Sequence, residues 1–220
     1  MLLLQLIWFT YSLGFLFQDQ PHFKGGQKYL FSFINTNMIY PEYSKQNCLQ
    51  GTVNVSFKLT NKGRIFNSEI QKGYGTDLDN EALRIVRLSS GRWIIPAGYD
   101  TTSAVILPIN FNLKNYGCEL RSKEDIQKAV SAYHSRLDLT KAIFNFYEKK
   151  AAGAITTQNE TEIIALKSQL GYTQKYIEQL YRLALRKLKQ GDKESACEDL
   201  KNIKRLGNKI ADESIAKSCE

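Results

Sequence analysis

The chain has 220 residues and 25.2 kDa, enough for one large domain or two modest ones. Hydrophobic residues make up 43% and charged residues 24%, which excludes a disordered chain, and four prolines exclude a long proline-rich spacer. The net charge of +8 is spread over the length, with 12 basic and 8 acidic residues up to Arg121 and 18 and 14 after it, so no basic stripe for nucleic acid is visible. Two histidines far apart, His22 and His134, leave little for a metal centre or histidine-based catalysis.

Residues 2–17, LLLQLIWFTYSLGFLF, are uncharged and mostly apolar. As a helix they would span roughly 24 Å, short of a ~30 Å hydrocarbon core. This fits the apolar region of a signal peptide, with a retained N-terminal anchor or a buried helix as alternatives. The first two export the remaining chain and limit membrane contact to residues 1–20. Four cysteines without C-x-x-C spacing agree with export and two disulfides, for which three connectivities exist; inert buried thiols are the alternative. Cys48 lies too far inside the chain to carry a lipoprotein lipid.

A Gly25-Gly26 break precedes an expected helix over 27–36, which must stop before Tyr40-Pro41. Val53, Val55, Phe57 and Leu59 alternate with polar residues and predict a half-buried strand over 51–59. Asn61-Lys62-Gly63 supplies a turn into a second strand over 64–71. Asp77 or Asp79 is expected to cap a helix over 79–89. A third strand is expected over 103–113. From Ser122 the period becomes helical, with helices expected at 123–135, 138–150, 160–170, 173–190, 193–206 and 208–218, and a loop at 151–159. Gly191-Asp192 and Gly207-Asn208 punctuate the last three. The fold class is α+β, a small three-stranded antiparallel sheet with two helices over 22–118, then an all-α unit over 122–220.

The first unit resembles the C-terminal domain of TonB-family proteins of Gram-negative envelopes. The resemblance lies in Phe23-x-Gly25-Gly26, Leu30, Phe33-Ile34, Asn37 and Tyr40-Pro41. It continues in Gly51-x-Val53-x-Val55-x-Phe57, Gly63-x-Ile65 and Leu78-Asp79-x-Glu81-Ala82-Leu83, and closes with Trp93, Pro96-Ala97 and Leu107-Pro108-Ile109-x-Phe111. It implies capture of an extended peptide from an outer-membrane transporter or another envelope protein, in the periplasm or at the cell envelope. The alternative it implies is a true energy transducer, coupling proton motive force to outer-membrane transport. Transducers carry a histidine in a spanning helix and a long proline-rich spacer; neither pattern occurs here. The helical unit is similar to tetratricopeptide-type hairpins and is a possible platform for a second protein. One copy uses Leu180, Leu183, Ala184, Ala196, Leu200 and Ile203; a weaker one uses Ile126, Ala129, Val130, Tyr133, Ala142 and Phe146. A plain helical bundle is the alternative.

Pro108 cannot donate to a sheet ladder, so it marks the third strand as an edge. Ile106, Asn110 and Asn112 share its parity and are expected to turn their backbone groups outward, which makes these four residues the candidate partner-binding edge. A protected edge that resists aggregation is the competing reading. If the strand order is second, first, third, Cys48 and Cys118 overhang neighbouring strand ends and can be bridged. A helix hairpin folding back at Gly207 sets Cys197 opposite Cys219. Other singled-out groups have plain explanations. Trp93 reads as core, Arg182, Arg186, Lys187 and Lys189 as a solvated face, and Asp77, Asp79 and Glu81 as helix capping. Clustering of Tyr29, Tyr40 and Tyr43 is unsurprising among twelve tyrosines. No metal, cofactor, catalytic residue or nucleic-acid partner is expected.

Overall fold

The computed structural model describes residues 20–114, 116–154 and 159–219. The N-terminal apolar run and the middle of the 151–159 loop lie outside the described residues.

Strand β1 (His22–Phe23) leads into α1 (Gly26–Asn37), and α2 (Glu42–Gln46) starts directly after Pro41. Proline at a helix N-cap sacrifices no intrahelical bond, so Pro41 ends one helix region and opens a second that the sequence reading left as coil. Strand β2 (Gly51–Leu59) occupies the expected residues and β3 (Ile65–Lys72) is displaced by one. Helix α3 (Asp77–Leu88) follows, then β4 (Trp93–Ile94) and β5 (Ala104–Phe111). The sheet order is β3-β2-β5, all antiparallel, and β1 pairs separately with β4. The β1–β4 ribbon has two residues a side, below the length at which alternation shows in a sequence.

The alternation of β2 puts Val53, Val55, Phe57 and Leu59 fully inside. They meet Leu78, Ala82, Ile85 and Val86 of α3 and Ile34 of α1, with Phe23 and Trp93 closing one end. Trp93 is buried, edge-on to Phe23, and its indole N–H donates to Ser89 Oγ at 3.0 Å. It is a core residue.

Neither Asp77 nor Asp79 is the α3 cap. Thr76 holds that position, and Asp79 reaches back to accept from the amides of Tyr74 and Gly75 at 3.0 and 2.7 Å. Asp77 accepts a hydrogen bond from Ser44, and Glu81 pairs with Arg84, so the acidic trio divides into three separate tasks.

Helix α4 (Lys123–Ala151) corrects the expected pair 123–135 and 138–150. No glycine or proline interrupts these 29 residues, and Asp138 in the middle pairs with Lys141 one turn on instead of opening a new helix. Ser122 and Asp125 form a capping box at its start. Helices α5 (Glu160–Gln169), α6 (Gln174–Lys189), α7 (Lys193–Arg205) and α8 (Asp212–Ser218) follow. The last begins four residues later than expected because Asn208 bonds its side chain to the amide of Ile210 and prolongs the turn. Gly207 lies at a φ of 76° with Tyr147 packed where a β-carbon would stand, so only glycine fits there.

Helices α6 and α7 pack on each other through Ala184, Ala196, Leu200 and Ile203, all fully buried. The weaker hairpin does not form, since its residues lie on the single helix α4. Ile126, Ala129 and Val130 instead pack onto the core of the sheet unit, while Ile143 joins the core of the helical unit. Helix α4 therefore belongs to both cores.

Candidate peptide-binding edge

Strand β5 lies at the edge of the sheet and pairs with β2 in unbroken register from Gly51↔Phe111 to Lys58↔Ala104. Pro108 stands opposite Asn54, Ile106 opposite Ser56 and Asn110 opposite Thr52. Since proline has no N–H, the Pro108–Asn54 pair is a non-hydrogen-bonded one, and every second residue of β5 shares that state. The backbone groups of Ile106 and Asn110 therefore point away from β2. Their side chains are exposed on the face without helices, whereas Ile109 and Phe111 are buried and Val105 and Leu107 half-buried on the other face. Asn112, expected within the strand, is exposed but lies one residue beyond its end. The ladder is continued there by a side chain: the amide of Leu113 donates to Gln50 Oε1 at 3.0 Å.

The opposite edge differs. Strand β3 pairs with β2 with two register shifts, and Asn67 within it has a φ of 48°. Bulges twist an edge and interrupt its row of donors and acceptors. Of the two edges of the three-stranded sheet among the described residues, β5 presents the regular one.

The end of β5 is fixed from several sides. Cys48 and Cys118 form a disulfide, with Cα atoms 5.4 Å apart, and Leu113 is buried against it. Tyr40 sets its ring edge-on to Phe111 and donates to the carbonyl of Leu49 at 2.5 Å. Burial, with the nearby Asp77 charge, pushes the Tyr40 phenol far above its ordinary value, so it stays a donor. Asp77 is itself pushed up by burial, against the opposing hydrogen bond from Ser44. Cys197 and Cys219 form the second disulfide, tying α8 to α7.

Sequence reasoning missed Arg84. Its side chain is 4% exposed and bridges the two units. It donates to Glu81 at 2.7 Å, to the Asn37 carbonyl at 2.6 Å, and to Gln190 and Asp192 at 3.1 and 3.3 Å. Glu81 in turn accepts from the Ile39 amide at 2.6 Å. Hydrogen bonds to Glu81 and Asp192 outweigh burial and raise the Arg84 pKa further, so the charge is permanent. His134 sits against Gly75, with the Tyr133 ring beside it. Of the tyrosines, Tyr43 donates to the Ala129 carbonyl at 2.7 Å, and Tyr29 is exposed. Lys187 pairs with Asp199 at 2.6 Å and so leaves the face formed by Arg182, Arg186 and Lys189. Among the described residues no three metal-type side chains come together, and no helix is long and apolar enough to cross a membrane.

Residues 36–113 match the family model described as Gram-negative bacterial TonB protein C-terminal. The matched segment runs from the end of α1 through β5, about a third of the chain, and indicates no catalytic family. It relates the sheet unit to TonB-type envelope transport and protein interaction. Comparisons with curated proteins and with solved structures find no match.

Proposed function

We propose that this chain is an exported binding module that captures an extended peptide of an outer-membrane transporter, or of another protein of the Gram-negative envelope, by strand addition to β5. The observation that carries this reading is the unbroken eight-residue register of β5 at a sheet edge, with Pro108 fixing which backbone groups face outward. An added strand would bond to Ile106 and Asn110, while alternate side chains of the peptide would meet half-buried Val105 and Leu107 on one face. The helical unit is a second surface, held to the first by α4 and Arg84. The test is capture of envelope proteins by the full chain and by Asn110→Pro, which deletes an outward N–H and no ladder bond. Capture is expected to be lost with the melting temperature unchanged; undiminished capture would refute the edge as the site.

A further inference from the structure

Away from the peptide edge, the fold gathers cations that the sequence scatters. Segments 20–35, 60–68 and 87–94 contain Lys24, Lys28, Lys62, Arg64, Arg87 and Arg92 and no Asp or Glu. Backbone bonds draw them together at one end of the sheet unit. The amide of Gly91 donates to the Gly63 carbonyl at 2.7 Å, that of Lys24 to the Arg92 carbonyl at 2.8 Å, and that of Ile65 to Ser90 Oγ at 2.9 Å. Gly63 makes the approach possible, since a β-carbon there would collide with the carbonyl of Trp93. All six side chains are exposed, and none pairs with a carboxylate among the described residues. Asp100, on the next loop, is engaged by Thr102 and Ser103 and stands near the further cation Lys58.

Apolar groups accompany the charge. Tyr29 and Phe31 are 65% and 67% exposed, and Phe66 and Ile94, two residues after Arg64 and Arg92, are exposed as well. Lys24 and Arg92 flank a cleft of about 330 Å³ with Tyr29, Ser32 and Phe33.

We propose that this basic end seats on an anionic lipid surface, with lysine and arginine on the phosphates and Tyr29, which lines the cleft with Lys24 and Arg92, at the headgroup level. The mixture of unpaired cations with exposed rings fits an interface between water and acyl chains, where a purely ionic partner would leave the apolar groups unused. The surface adjoins the start of β5, where Lys58 stands opposite Ala104, and uses none of the outward backbone groups of Ile106 and Asn110.

The test uses the full chain with vesicles of phosphatidylcholine, alone or with phosphatidylglycerol. Amide exchange in 24–31, 60–66 and 90–94 is expected to slow about tenfold on the anionic vesicles only, and the protection to vanish as salt rises from about 0.1 to about 0.5 M. Lys24→Gln with Lys62→Gln, Arg64→Gln and Arg92→Gln should lower affinity for anionic vesicles at least tenfold. The charge-matched control replaces Lys175, Lys189, Lys201 and Lys204 by Gln and should keep it. Equal loss in both variants, or protection independent of phosphatidylglycerol, would overturn the proposal. So would protection of these segments by polyglutamate without protection by vesicles, which would make the partner an acidic polypeptide.

Discussion

Asp77 shows how a single side chain carries a pH dependence. Its carboxyl is half-buried at the start of α3, bonded to Ser44, and titrates above the ordinary aspartate range because partial removal from water penalises the charge. The folded protein therefore holds this proton at pH values where the unfolded chain has released it. Ionised Asp77 costs stability, a cost absent below the unfolded pKa and complete above the raised one. Stability should fall with pH across that window, and Asp77→Asn, which can still accept from Ser44, should flatten the fall. Denaturant titrations of both proteins between about pH 3 and pH 7 measure it; identical slopes would contradict the assignment. Asp77 was visible in the sequence as an N-terminal helix residue. Its partial burial was not, because Ser44 lies 33 positions away on a helix hidden behind Pro41.

Elements whose pattern is local were readable. Strand β2 was legible to the residue because four alternate side chains point into one core, and the α6–α7 pair because small and large residues fall at helical spacing. Helix α4 was not, because its apolar residues face one core in its first half and another in its second. Both bridges follow from element geometry, once strand order and the Gly207 turn are given. The Cys48–Cys118 bridge closes a separation of 70 residues, worth about 4 kcal/mol in the loop-entropy account. The Cys197–Cys219 bridge acts over 22 residues and holds α8, a seven-residue helix too short to persist alone. In Cys219→Ser, amides of 212–218 should exchange faster than in the parent while those of β2 keep their protection. Unchanged exchange in α8 would show that its contacts, such as Tyr181 with Ser214, suffice without the bridge.

At the scale of the whole molecule, the joint between the units rests on Arg84 and α4. Removing Arg84 leaves Glu81 buried without its cation, an arrangement that typically costs 3–5 kcal/mol, roughly. Arg84→Ala should lower the melting temperature, and Asp192→Asn, which keeps a hydrogen-bond acceptor, should do so much less. Calorimetry of the three proteins distinguishes this from a surface role, in which both variants would melt like the parent. Nothing local marks Arg84, since an arginine within an amphipathic helix pattern reads as solvent-facing. The same blindness applied to the basic end: counted along the chain the cations are even, and only the Gly63, Gly91 and Lys24 backbone bonds bring them to one place.

The Cys48–Cys118 bridge also determines how the molecule bears mechanical load. The helical unit is attached to the sheet unit through residues 119–122, immediately after Cys118. Tension between the helical unit and the N-terminal side crosses the covalent bridge from Cys118 to Cys48 and leaves through residue 47, so the bridged loop 49–117, which holds both β2 and β5, lies outside the load-bearing path. Strand β5 is thus excluded from the line of pull and cannot be peeled from its C-terminal end. A peptide laid along its outer edge would keep its template while the rest of the protein is dragged.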